Sequence, residues 1–510
     1  MDEPFHEGAC GVKRTCGACM KQNILFLMAD QFTYDTMSCM GSCARTPNLD
    51  RIAQSAVCFS NCYTNAPLCM PARTSLATGL YPEELNTVDN YGTGLTPQSS
   101  TWMQRVRDAG YETSLFGKAH LHKFCPDLRD KISQMQGYGY QIVDELPGPR
   151  TYATVRSSYY EHLKSRGLLR CYEEDMKRRY EEGPVYDSRP TPLPTKDYAD
   201  VYIADRALDY LGQVSPDVPW FCTVSFGGPH DPWDTPAEYV LPYQDVIPPP
   251  ARPAPVSIAP DRPRGVYDEI LNGKYDPSLT PDIKRMTQQD IQALRRSYYG
   301  HVTLIDDQIG RILTCLERRG MLEHTIIVFT ADHGEENGDY GLLFKQTFLE
   351  SSVRVPLLIS IPGETGRSIH TPVELMDLGP TVCHLVGIEG QLGHARSLLP
   401  LMQGGIIEKQ RLASQIFGET MLLEKGIKVV FNQEDIPYLL FDLNSDPMES
   451  YNLAGTPQVS ALERYFCHAL AEWRQALMQR EACIHEKLCQ KCPQYSTDYR
   501  RSAPLGLCAR

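Results

Sequence analysis

The sequence predicts an α/β fold with a smaller second unit at its C-terminal end. Near-continuous apolar runs at 23–29, 220–226 and 325–330 have the pattern of strands buried on both faces of a parallel sheet. Amphipathic helical periodicity at 198–211 and 289–319 alternates with them. Beyond about residue 400 the texture changes to short strand patterns at 428–431 and 438–442, followed by one amphipathic helix at 460–478. The chain of 510 residues therefore divides into an N-terminal extension 1–20, a main α/β domain 21–400 with a rim insertion at 125–195, and a C-terminal subdomain and tail 401–510.

The first strand, 23–29, ends at Asp30-Gln31. Ligands in open α/β sheets sit beyond the carboxyl ends of strands, so Asp30 is a candidate metal ligand, with a turn cap as the alternative. A helix opens at 46–53, and a strand at 57–63 leads to Cys69. Pro71 suits the first turn of a helix and Gly79 the position just past its end, so a short helix starts at once after Cys69 and aims its N-terminus at that side chain. The unpaired amides and dipole there favour an anion, and Arg73, one turn on, adds a planar guanidinium. The plain alternative for Cys69 is a small buried apolar residue. Asn90, in the polar loop that follows, is either a donor to a bound oxyanion or a backbone cap.

A helix at 101–109 is stopped by Gly110, and the strand at 111–116 delivers Gly117-Lys118-Ala119-His120. In an extended segment Lys118 and His120 point to one side, placing a fixed positive charge beside a titratable imidazole. That pair suits charge neutralisation and proton transfer at a leaving group; an exposed lysine and a hydrogen-bonded histidine are the alternative. From 124 to 196 the chain is irregular and charged, with helices at 159–166 and 172–182. The strand at 220–226 ends at Gly227-Gly228-Pro229-His230, again placing a histidine just past a strand. Proline density makes 246–263 an extended surface run. The strand at 325–330 delivers Asp332-His333-Gly334-Glu335, an acid and an imidazole suited to a divalent ion bound mainly by oxygen with one nitrogen. Lys345, Glu350, a strand at 355–359 and a helix at 376–387 follow.

Cys69-Met70-Pro71-Ala72-Arg73, followed by Thr78-Gly79, resembles the sulfatase signature CxPxR with its later Thr-Gly. With Asp30, Lys118, His120, His230, Asp332-His333, Arg354-Val355-Pro356-Leu357 and the late Asn452-Leu453, the chain from Asn23 to Leu453 is similar to the sulfatase branch of the alkaline phosphatase superfamily. Within it, the choline-sulfatase and phosphonate monoester hydrolase-like branch is nearest, because Gln31 stands where many members have Asp and His333 where many have Asn. The resemblance implies an alkaline phosphatase-like sandwich, with a large mixed central sheet between helices and a smaller C-terminal antiparallel α+β subdomain.

The resemblance further implies that Cys69 is oxidised to formylglycine by a maturation enzyme. Asp30, Gln31, the modified Cys69, Asp332 and His333 would surround one divalent cation, Ca2+ first and Mn2+ or Zn2+ as alternatives. Arg73, Lys118, His230 and Lys345 would grip sulfate oxygens, with Asn90 beside them and His120 orienting or protonating. The implied activity is hydrolysis of a sulfate ester, of a small molecule or a carbohydrate, to alcohol and inorganic sulfate. A phosphonate monoester or phosphodiester hydrolase on the same scaffold is one rival, against which Lys118 and His120 argue, since the similar phosphonate monoesterases carry neutral hydroxyl residues there. An unmodified, inactive binding protein is the other. No further Asp/His set is placed for a two-metal phosphatase.

The net charge of −13 argues against a nucleic-acid or anionic-membrane surface, so an anionic substrate must meet a local cluster of cations. The first twenty residues lack the basic start and apolar run of a secretory signal, and the apolar run at 24–29 is too short to span a bilayer. The expectation is a cytoplasmic protein whose eighteen cysteines are mostly thiols. Two terminal CxxC pairs, Cys16 with Cys19 and Cys489 with Cys492, have a spacing used by structural zinc, with plain or oligomer-facing thiols as the alternative.

Overall fold

The structure, a computed structural model, describes residues 21–272, 283–407 and 411–491, with side chains through 479. The extension 1–20 and both terminal CxxC pairs lie outside the described side chains. The central sheet is built from β1 (Asn23–Asp30), β2 (Ala56–Phe59), β3 (Glu112–Lys118), β4 (Ile142–Leu146), β5 (Trp220–Pro229), β6 (Thr325–Ala331), β7 (Leu357–Ser360) and β8 (Arg367–Ile369). These eight strands lie in the order β8-β2-β7-β6-β1-β5-β3-β4. β1 runs parallel to β5 and β6, and β3 parallel to β5 and β4. β7 runs antiparallel to both β6 and β2, which makes the sheet mixed. Every residue of β1 is buried, as its unbroken apolar run requires.

This topology positions the site. β1, β3, β5 and β6 are mutually parallel neighbours, so their carboxyl ends fall on one edge and bring Asp30, Lys118, His230 and Asp332 together from across the chain. Gly117 makes the close turn at the end of β3: its φ is +101°, and a Cβ there would lie 2.0 Å from the Ser225 carbonyl oxygen on β5. Only glycine fits.

The C-terminal strands Leu412–Ile416, Glu419–Glu424, Ile427–Phe431 and Pro437–Asp442 form a four-stranded antiparallel sheet. The helix Ser460–Lys491 covers it, packing Phe466 and Leu470 in one cluster with Leu422, Val429, Phe431 and Leu440. Met421, Val430 and Phe441 cluster instead with Leu68, Leu349 and Val353 of the main body. At that seam the buried Lys428 ammonium pairs with Glu350 at 2.6 Å and Glu449 at 2.7 Å. Lys428→Met would leave Glu449 without its cation and Glu350 with only Arg354 at 3.5 Å, and is expected to cost about 3–5 kcal/mol in a denaturant titration.

Several elements differ from the sequence expectation. The strand expected over 57–63 breaks at Ser60-Asn61, and Cys62–Tyr63 joins a separate three-stranded sheet with Arg354–Val355 and Val373–Glu374. The stretch 125–195, read as irregular, contributes edge strand β4, whose Ile-Val-Asp-Glu-Leu run goes from an exposed Ile142 to a buried Glu145 and Leu146 and carries no alternation. The helix expected over 172–182 is Leu169–Lys177 followed by one wider π-helical turn, Arg178–Glu182. The segment after Lys118 is not extended: His120 has φ +53°, because the chain turns out of the sheet there. Cys39, Cys43, Cys58, Cys69, Cys125, Cys171, Cys222, Cys315, Cys383 and Cys467 are free thiols.

Candidate active site

Cys69 is the first residue of the helix Cys69–Thr78, and every residue of that helix is buried. The Asn90 side chain supplies the missing cap: its Oδ1 accepts from the Met70 N–H at 3.0 Å. Of the two roles open to Asn90, capping is thus filled by its oxygen, while the residue also lines the cavity in front of Cys69. Gly79 closes the helix in the left-handed conformation, φ +70°, donating to the Ser75 carbonyl at 2.7 Å.

Around the Cys69 sulfur the strand ends converge. His333 Nε2 lies 3.1 Å from Sγ and Asp30 Oδ1 3.7 Å. Asp30 Oδ2 accepts from the Lys118 ammonium. Arg73 donates Nε to Asp332 Oδ2 at 2.7 Å, and Nη1 to the Lys118 carbonyl at 2.7 Å and Ser225 Oγ at 3.0 Å. The remaining Arg73 amino group, Nη2, has no hydrogen-bond partner although it is buried, 3.7 Å from Asp30. Asp332 Oδ1 accepts from the backbone N–H groups of Gln31, at 3.1 Å, and His333, at 3.0 Å.

The charges set the protonation states. Burial raises the Cys69 thiol, but Lys118, Lys345 and His333 outweigh it and hold it well below its ordinary value. Burial also works against the Asp332 carboxylate, yet the Arg73 guanidinium and His333 hold its pKa below the ordinary range. Lys118 loses solvation by burial but is held protonated by Asp30. His120 is pushed below its ordinary value, first by burial and then by the charge on Lys118, so its imidazole is neutral near pH 7; its Nδ1 is buried without a partner.

Asp30, Cys69, Asp332 and His333 each turn one ligand atom into a common buried space, all within 4.8 Å of one another. His333 Nδ1 lies 3.0 Å from the Gly334 carbonyl, which holds a proton on that nitrogen, so that Nε2, which faces the cluster, would give up its own proton to take an ion. Two carboxylates and one imidazole about a buried point are the donor set of a divalent cation, so these residues fit one such ion. Among the described residues no second cluster of this kind stands.

A second layer was not anticipated from the sequence. Lys345 donates to Gln31 Oε1 and lies 2.7 Å from His230 Nε2, and Gln31 in turn donates to Glu335 Oε2. The Gln31 side chain is therefore committed to Lys345 and Glu335. Glu335, which also accepts from the Phe344 N–H at 2.6 Å and the Asn337 N–H at 2.9 Å, is pushed up to about 7 by burial. His230 is steadied through Nδ1, 2.6 Å from the Asp231 carbonyl, and Asp231 is held by Arg150 Nε at 2.6 Å and the Tyr180 hydroxyl at 2.8 Å. Glu335 follows directly on Asp332-His333-Gly334 in the sequence, and that adjacency was the one available signal. Arg150 and Tyr180 gave none, since only the tertiary fold brings them to Asp231.

The geometry thus gathers Asp30, Cys69, Arg73, Lys118, His120, His230, Asp332, His333 and Lys345 at one place, with Asn90 and Gln31 at its margin. It suits an oxyanion held by several cations beside an ion-binding point.

Comparison with known proteins agrees. The Sulfatase family matches residues 22–388 of the chain. The choline-sulfatase of Rhizobium meliloti (strain 1021) is 30% identical over 465 residues, covering 86% of this chain and 83% of that protein. An arylsulfatase of Clostridium perfringens (strain 13 / Type A) is 26% identical over 464 residues, covering 86% and 91% respectively. Among solved structures, the phosphonate monoester hydrolase of Agrobacterium radiobacter superimposes with a TM-score of 0.71 at 25% identity, covering 90% of this chain and 96% of that one. The large mixed sheet, the smaller antiparallel sheet and the match over most of the length have one meaning: the chain belongs to the sulfatase family, has the alkaline phosphatase-like fold and is a sulfuric ester hydrolase by family.

Proposed function

We propose that the protein hydrolyses a sulfate ester to an alcohol and inorganic sulfate, after a maturation enzyme has oxidised Cys69 to formylglycine. The observation that carries this reading is that Cys69 shares one buried space with the Asp30, Asp332 and His333 ligand atoms and lies in the field of the Lys118 and Lys345 cations. Asp30, Asp332, His333 and the modified Cys69 would hold one divalent cation, Ca2+ first on the all-hard character of the oxygen donors that replace sulfur. The ion would supply Lewis acidity, and the aldehyde hydrate an oxygen nucleophile in place of a soft thiolate.

The chain's own residues do the rest. Lys118, Lys345 and His230 present positive or donor groups to the sulfate oxygens, and Arg73 locks Asp332 while lending its unpartnered Nη2 to the local field. Gln31 is better read as a positioning residue, coupling Lys345 to Glu335, than as a direct ligand. His120 lines the cavity beside Cys69 and is neutral at rest, so to serve the leaving oxygen it would first take up the proton that the attacking hydroxyl loses and then pass it to that oxygen.

That role makes a prediction. His120→Ala is expected to lower kcat/KM for alkyl or sugar leaving groups by about 10²–10⁴-fold, and for nitrophenyl sulfate far less. A uniform drop across leaving groups, read by sulfate release, would make His120 an orienting group and His230 the next candidate for the acid.

A second reading rests on the similarity to phosphonate monoester hydrolases. A panel of sulfate esters and phosphonate monoesters, assayed with matured protein, separates the two. Sulfate esters are expected to be turned over faster, because Lys118 and His120 would neutralise charge that develops on the leaving oxygen. Phosphonate turnover far above every sulfate ester would reverse the assignment.

A further inference from the structure

A cavity of about 300 Å³ opens onto Cys69, Lys118, His120 and His230. Its mouth is formed by two segments zipped together: Leu95 donates to the Leu121 carbonyl at 2.7 Å, Lys123 to the Thr93 carbonyl at 3.1 Å, and Gly94 bridges to His122. This ribbon carries Tyr91 and Phe124, which are 90% and 70% exposed. Large aromatic side chains so open to water cost solvation and contribute nothing to the core, so their place at the mouth points to a ligand. The lining also includes the apolar side chains of Leu128, Leu146, Pro149 and Val155.

Several polar side chains of this cavity, apart from those set against the sulfate, already have partners. His122 lies 3.0 Å from the Lys123 carbonyl through Nδ1 and 2.9 Å from Glu145 Oε2 through Nε2. Thr151 donates to the Gly148 carbonyl at 2.9 Å, and Arg150 to Asp231 at 2.6 Å. A sugar brings a hydroxyl on nearly every carbon, each of which would have to give up water for a wall that offers few unengaged partners. A cationic alcohol would find no open carboxylate, because Glu145, the one carboxylate lining the cavity, is already paired with His122.

We propose that the organic half of the substrate is an uncharged aromatic group, held by the Tyr91–Phe124 rim and the apolar side chains of Leu128, Leu146, Pro149 and Val155. The protein is therefore selective for aryl or arylalkyl sulfates over sugar sulfates and over quaternary ammonium alcohol sulfates. The position of the scissile group rests on the sulfatase reading above; the nature of the pocket does not.

The test is a fluorescence titration of the full-length protein with 2-naphthol, beside methyl glucoside and choline as competitors. Saturable naphthol binding is expected, weakened about three- to tenfold by Tyr91→Ala and by Phe124→Ala, with no displacement by glucoside or choline. Both variants are at exposed positions, and unchanged thermal midpoints confirm that they fold. With matured enzyme the same variants are expected to raise KM for 2-naphthyl sulfate while kcat holds. Displacement by glucoside or choline, or naphthol binding indifferent to both variants, overturns the proposal. If no sulfate ester is turned over at all, the chemistry is wrong, and the titration still decides the pocket.

Discussion

Asp332→Asn is expected to lower kcat/KM for any sulfate ester by at least about 10³-fold, the scale of losing a preorganised electrostatic group in a buried site. The substitution keeps the shape but removes a charge that three groups rely on. Asp332 Oδ2 pairs with Arg73 Nε at 2.7 Å, and Oδ1 organises the backbone of Gln31 and His333. It is also one of the ligand atoms that would hold the ion. Arg73 keeps Asp30 only at 3.7 Å, so the variant also leaves a buried guanidinium underpaired, and a stability loss of up to about 3–5 kcal/mol is expected. Circular dichroism and a thermal scan separate the two effects: activity should vanish at temperatures where the variant is still fully folded. In the wild type, exhaustive chelation is expected to reproduce the loss of activity, and re-addition of Ca2+ to restore it. Activity that survives chelation contradicts the ion-dependent account.

Cys69→Ala is the second large effect, with a loss of about 10⁴-fold or more expected. Alanine is a good helix former and fits the first turn of Cys69–Thr78 without strain. The protein should fold, since the helix keeps its Asn90 cap and its buried face. The loss should match that of unmatured wild type, because both lack the same oxygen nucleophile. Wild type produced without a maturation enzyme is expected to gain activity when one is co-expressed, and Cys69→Ala to gain none. A difference of less than tenfold between Cys69→Ala and matured wild type would remove Cys69 from the chemistry.

The residues proposed to face the reacting group were legible because they sit at strand ends. Asp30, Lys118, His230 and Asp332 each stand at the end of a strand pattern, and a parallel sheet sends such ends to one edge whatever the intervening chain does. Cys69 was legible for a different reason, the local chemistry of a proline-opened and glycine-closed helix. The supporting layer was not legible. Gln31 meets Glu335 and Lys345 across some three hundred residues, and nothing in either stretch of sequence records the other. Edge strand Ile142–Leu146 escaped because its residues, exposed at one end and buried at the other, follow neither the alternation of a solvated strand nor the run of a buried one. The strand pattern over 57–63 hid a break at Ser60-Asn61 for the opposite reason, since both halves are apolar and each is buried in its own sheet. His120 shows the limit of two-residue spacing arguments: it reaches the site from a left-handed turn rather than along a strand.

The central claim is that an aldehyde derived from Cys69 performs the hydrolysis. Peptide mass spectrometry of active protein, with an aldehyde-trapping reagent on the peptide containing Cys69, tests it most directly when the trapped fraction is plotted against specific sulfate-release activity across differently matured preparations. The account predicts a straight line through the origin. Full activity from material in which Cys69 is wholly unmodified would contradict it.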